Sequence, residues 1–173
     1  MRPELMEALR YGVFPVTSRI AIGRFATPAR FDYLQQHGYT HILNVSDAAS
    51  LASTADAGFA DVKDMPLDDF MRIPTADALA ILGALHAFLN IPNSKVFLHC
   101  IAGQNRCPTI LWLYMIALGL SEDEARQRIV HACPDAQPGH RTLIDQKLID
   151  AVRSWGVQLG YIDRDDLLQP AYN

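Results

Sequence analysis

The chain has 173 residues, enough for one sizeable hydrophobic core and too few for two. Half of them are hydrophobic and only 20% are charged, which excludes disorder as a global state. A formal charge of -4 leaves no basic field for displacing counterions from a nucleic acid, so a polyanionic partner is disfavoured.

The opening MRPELMEALRYGVFPV carries charges through its first ten residues and lacks the unbroken apolar run of a signal peptide, so export is not expected. Strand-like and helix-like segments then alternate, the pattern of an α/β fold with a central, mostly parallel sheet flanked by helices. RIAIG (19–23) and HILNVS (41–46) are short, β-branched and ended by turn formers, as strands are. Between them TPARFDYLQQHG takes Thr27 as N-cap and Pro28 at the first helical position and closes at Gly38, completing a β-α-β unit. DAASLASTADAGF (47–59) is small and polar, a surface loop or weak helix. ADVKDMPL (60–67) resumes a strand that must stop at Pro66.

TADALAILGALHAFLN (75–90) reads as an amphipathic helix with Leu79, Leu82, Leu85 and Leu89 near helical spacing, and KVFLH (95–99) as a buried central strand. ILWLYMIALGL, the apolar run from Ile110, falls short of the roughly 20 residues a membrane span needs and reads as a core helix. SEDEARQRIVHA follows, with Ser121 as N-cap and Glu124 completing a capping box. A last long helix lies around RTLIDQKLIDAVRSW (141–155). No repeat, low-complexity tract or linker divides the chain, so a single domain over 1–173 is expected.

Cys100, Cys107 and Cys133 form an odd set without paired metal spacing. Neither a disulfide framework nor a metal site is expected, no cofactor is implied, and reduced thiols fit a cytoplasmic setting.

The loop in VFLHCIAGQNRCPTILWLY (96–114) joins the carboxyl end of a central strand to the amino end of a buried helix, where α/β folds place anion sites. Unpaired N–H groups of the first helical turn attract negative charge, and Gly103 lets the backbone curl around it. Arg106 adds a bidentate guanidinium fork. Cys100 sits at the bottom of the same cradle, where positive potential favours thiolate and makes a nucleophile beneath a bound phosphate. His99 suits support of the loop better than proton transfer.

HCIAGQNR matches the His-Cys-x5-Arg signature of the cysteine-dependent protein tyrosine phosphatases, and HCIAGQNRCPT most resembles their dual-specificity branch. The order of RIAIG, GYTHILNVS, MPLDDF, the signature and SEDEARQRIVHACPDAQPG extends the resemblance over about 18–153. It implies a phosphatase-type fold and a phosphocysteine formed on Cys100. It also implies equatorial oxygens held by Arg106 and by the amides of Ile101, Ala102, Gly103, Gln104, Asn105 and Arg106.

The resemblance further implies an aspartic acid that protonates the leaving oxygen and then activates water. MPLDDF offers Asp68 and Asp69, and the Pro66-x-x-Asp pattern favours Asp69.

After the arginine the family usually has Ser or Thr, whereas this chain has Cys107, a poor hydrogen-bond donor. Slower phosphoenzyme breakdown is expected unless Thr109 or a water substitutes. Cys107 is also a candidate redox partner for Cys100, while Cys133, at a helix end, reads as inert.

Ile101, Ala102, Gln104 and Asn105 are uncharged, unlike the lysine-bearing loops that handle multiply phosphorylated inositides, which favours a singly phosphorylated group. No segment before MPLDDF builds a deep phosphotyrosine slot. The expected substrate is a phosphorylated protein, on tyrosine and also on serine or threonine, or a small phosphomonoester, with no nucleic-acid or membrane partner. The competing expectations are a catalytically weak phosphate-binding module and an arsenate-reductase-like thiol redox enzyme.

Overall fold

The computed structural model describes residues 1–51, 58–159 and 163–172. Five strands form one sheet in the order β1-β2-β5-β3-β4. They are β1 (Val13–Pro15), β2 (Ile20–Gly23), β3 (His41–Asn44), β4 (Asp61–Asp64) and β5 (Val96–His99). β2, β5, β3 and β4 run parallel, and β1 pairs antiparallel with β2.

The helices are α1 (Pro3–Tyr11), α2 (Pro28–Gln36), α3 (Thr75–Leu89), α4 (Arg106–Ala117), α5 (Glu122–Ala132), α6 (Gln146–Gln158) and α7 (Arg164–Leu168). Side chains of β5 alternate between the two faces of the sheet, as strand geometry requires. Val96 and Leu98 join the larger core, built with α3, α4, α5 and α6. Phe97 joins a smaller one with Tyr33 and Leu34 of α2. α4 is buried along its whole length, so its apolar run is a core helix surrounded by others. No described helix is long and apolar enough to cross a membrane.

Several expectations from the sequence shift. β2 and β3 are not neighbours: β5 lies between them, so α2 crosses over one intervening strand. Pro28 opens α2, but the Thr27 side chain makes no cap bond to its amides. The Ser121 hydroxyl does cap α5, accepting from the Glu124 amide. The last long helix begins later than its apolar pattern suggests, because Asp145 is its N-cap and accepts from the Leu148 amide. The sequence pattern described above includes neither α1 nor β1, which extend the packed structure before residue 18. The middle of the 47–59 segment lies outside the described residues.

Candidate active site

The carboxyl ends of β2, β3 and β5 converge, and the loop from Cys100 to Asn105 leaves β5 there to enter α4. Gly103 is in the left-handed region at φ +74, and a Cβ on it would lie 2.9 Å from the Gly23 carbonyl carbon. Glycine is required on both counts. The loop is pinned from outside: the Phe25 amide donates to Ile101 O and the Gln137 amide to Gln104 O. With carbonyls held outward, the amides of Ile101 through Asn105 donate to no backbone carbonyl among the described residues. They form a ring of donors at a helix amino end, the arrangement that binds anions, with the Gly103 amide facing the Cys100 sulfur.

Cys100 is 2% exposed at the floor of this ring. Its thiol is lowered to about 6, first by the Cys107 thiol and then by the Cys107 and Gly103 amides and the Arg106 charge, against opposing burial. The two sulfurs lie 3.4 Å apart. Burial pushes the Cys107 thiol up, so with Cys100 ionised it is Cys107 that donates. The thiol of Cys107 thus stands where the signature's usual hydroxyl would.

Thr109 lies elsewhere. Its hydroxyl accepts from the Gly139 amide at 3.1 Å, locking the loop after α5, and makes no hydrogen bond to Cys100 among the described residues.

His99 is fully buried, at right angles to the Phe25 ring and stacked on the Phe97 ring. Its Nδ1 lies 3.1 Å from Cys100 O. A carbonyl only accepts, so Nδ1 carries the proton. Burial lowers the ring to about 4, which keeps it neutral. The side chain braces the backbone of Cys100 rather than facing its sulfur.

Arg106 donates through Nη1 to Asp47 Oδ1 at 3.0 Å and to Leu67 O at 3.1 Å. Its Nη2 lies 3.8 Å from Asp69 Oδ2, and its buried Nε has no partner. Asp69 is therefore at the site, while its neighbour Asp68 is exposed and makes no ion pair among the described residues. The Asp69 segment is held by the Leu67 amide on Val45 O, the Ile73 amide on Leu143 O and an Arg72–Asp145 ion pair. Of the two loop side chains before Arg106, Gln104 is exposed and Asn105 is half-buried, with an Oδ1 that lacks a partner. Cys133 is buried at the end of α5, and burial raises its thiol to about 11.

Sequence reasoning missed Asp47, which it assigned to a small polar stretch. The available signal was topological: Asp47 follows β3, the strand beside β5, and strand ends in a parallel sheet share one rim.

No family model matches the chain. Mouse protein tyrosine phosphatase type IVA 3 is 31% identical over 99 residues, which cover 56% of this chain and 56% of that protein. The chain thus matches about half the length of such curated relatives. Among solved structures, human DUSP28 has a TM-score of 0.64 at 18% identity, covering 87% of this chain and 96% of its own. PTPMT1 in complex with PI(5)P has a TM-score of 0.69 at 14% identity, covering 83% and 96%. The structural likenesses show a shared fold of mostly parallel sheet and flanking helices. That fold, the type IVA likeness and the strand-loop-helix signature make the chain similar to the cysteine-based protein tyrosine and dual-specificity phosphatases.

Proposed function

We propose that the chain hydrolyses phosphomonoesters through a phosphocysteine intermediate. The observation that carries this reading is the Cys100 sulfur lying under a ring of amides that have no carbonyl partner, beside an arginine whose Nε lacks a partner. Cys100 attacks phosphorus in line, Arg106 and the loop amides take up the equatorial charge, and Asp69 protonates the departing oxygen and then activates water. The preferred substrate is phosphotyrosine on proteins, with phosphoserine and phosphothreonine also admitted. Phe70 and Ile101 are exposed at 61% and 44%, one residue beyond the acid and the nucleophile, which supports an aryl carrier. The loop offers no cation besides Arg106, and Asp47 and Asp69 flank that arginine, which supports a singly phosphorylated group. The proposed setting is a reducing cytoplasm, in keeping with free Cys100, Cys107 and Cys133.

The test is hydrolysis of p-nitrophenyl phosphate by the native chain and by Cys100→Ser. Turnover that vanishes in the variant while oxyanion binding persists supports the covalent route; appreciable turnover in the variant sinks it. The Cys100–Cys107 proximity also favours a second reading, arsenate reduction with Cys107 as resolving thiol, which a thioredoxin-coupled arsenate assay separates.

A further inference from the structure

We propose that Asp47 is a positioning residue for Arg106: it holds one edge of the guanidinium so that the opposite edge faces the bound oxyanion. The inference deepens the phosphatase reading and borrows from it only the identity of the anion.

A guanidinium has five N–H donors fixed in one plane, so holding one edge aims the other. In Arg106, Nη1 donates to Asp47 Oδ1 and to Leu67 O, which uses both of its hydrogens. Nε has no partner although the residue is only 4% exposed. A buried donor without an acceptor costs free energy, and here the unfilled donor lies on the edge that fits two oxygens of a tetrahedral dianion. The edge bound to protein and the edge left open are opposite sides of one rigid plane.

Asp47 is itself held in place by a dedicated network. The Asn44 Oδ1 accepts from the Ser46 amide at 2.9 Å and the Ser46 hydroxyl at 2.7 Å. Its Nδ2 donates to Ala48 O at 2.8 Å and to Asp64 Oδ1 at 3.0 Å. The Ser50 amide donates to Asp64 Oδ2 at 3.0 Å. These bonds clamp the residues on both sides of Asp47 and leave its own carboxylate to reach Arg106. The Arg106 hydrogen bond and charge hold that carboxyl below its ordinary value, so it is an anion wherever the thiolate is present.

The same contact could act in the opposite sense, with Asp47 as an internal anion competing for Arg106. The two roles differ in sign: removing a brace loosens oxyanion binding, and removing a competitor tightens it.

The experiment is calorimetric titration of the whole 173-residue Cys100→Ser chain with tungstate. It is repeated with Asp47→Ala or Asp47→Asn added, each also in an Arg106→Lys background. Asp47→Ala is expected to weaken tungstate binding about three- to fivefold, the upper range for a solvent-exposed ion pair. Asp47→Asn, whose amide oxygen still accepts from Nη1, is expected to recover most of that loss. Neither substitution should matter once lysine replaces Arg106, because lysine has no second edge to hold. Thermal unfolding of each variant shows that the fold is retained. Tungstate binding that is unchanged or tighter in Asp47→Ala, or an equal loss with and without Arg106, overturns the proposal. The readout is binding, so a native chain that hydrolyses nothing would defeat the phosphatase reading without touching this one.

Discussion

The sulfur of Cys107 lies 3.4 Å from that of Cys100, and its thiol heads the influences that lower the Cys100 thiol to about 6. In the proposed mechanism the active form is the thiolate. Activity toward p-nitrophenyl phosphate should therefore fall as pH drops through about 6, approaching tenfold per unit below it. Cys107→Ala removes the leading donor, so its acid limb should move to higher pH. Cys107→Ser substitutes a stronger donor, and kcat should rise if phosphoenzyme breakdown limits turnover. An acid limb that stays in place in Cys107→Ala would show that the amides and Arg106 alone set the ionisation.

The same proximity makes a redox outcome testable. A peroxide oxidises the Cys100 thiolate to sulfenic acid and is itself reduced to the alcohol or water. Cys107 S–H then condenses with the sulfenic acid, forming the S–S bond and releasing water. The sulfurs must close to about 2.05 Å, a displacement of the loop against the amino end of α4. Peptide mapping after mild peroxide should give a linked Cys100–Cys107 peptide, and dithiothreitol should restore activity. Cys107→Ser should lose both the link and the recovery. Equal recovery of both proteins with no linked peptide would leave Cys107 as a hydrogen-bond donor alone.

Asp69 reaches within 3.8 Å of Arg106, whereas Asp68 points to solvent. Asp69→Asn should slow aryl phosphates with basic leaving groups far more than those with good ones, since only a basic oxygen needs a proton in the transition state. A rate series across substituted phenyl phosphates measures this as a steeper leaving-group dependence. If Asp68→Asn steepens the series and Asp69→Asn does not, the acid is the neighbouring residue.

Much of this site was legible because its parts are contiguous. His99 through Cys107 form one strand-loop-helix passage, and the apolar stretches on either side declare the strand and the helix by composition alone. Asp47 was not legible, since its meaning depends on β3 lying beside β5, and sheet order is a long-range property that local pattern does not carry. β1 is three residues long, too short to display a period before its packing partner is known. α1 is a different case: it is amphipathic, opens at Pro3 and closes at Gly12 in the left-handed region, so its signal was present in the sequence although it buries only Ala8 fully. Thr109 shows the reverse case: nearness in sequence suggested a role at the thiolate, but helix geometry turns its hydroxyl toward Gly139.

Two helical glycines should respond to alanine with opposite signs. Gly83 lies in α3, where a Cβ would meet nothing within 4 Å, so Gly83→Ala gains helix propensity and lowers unfolded-state entropy without a clash. It should stabilise the chain by about 0.5–1 kcal/mol. Gly156 lies in α6 where that helix crosses α4, and a Cβ there would sit 2.1 Å from Ala117 O and 2.7 Å from its carbonyl carbon. Those atoms are backbone of the buried helix that begins at Arg106, so they cannot rotate aside as a side chain would. Gly156→Ala must push the two helices apart, and an overpacking cost of about 1–3 kcal/mol outweighs the propensity gain. Urea unfolding of both variants measures the difference. A stabilised Gly156→Ala would mean that α6 slides along α4 at little cost, so that the site's central helix is not locked by this crossing.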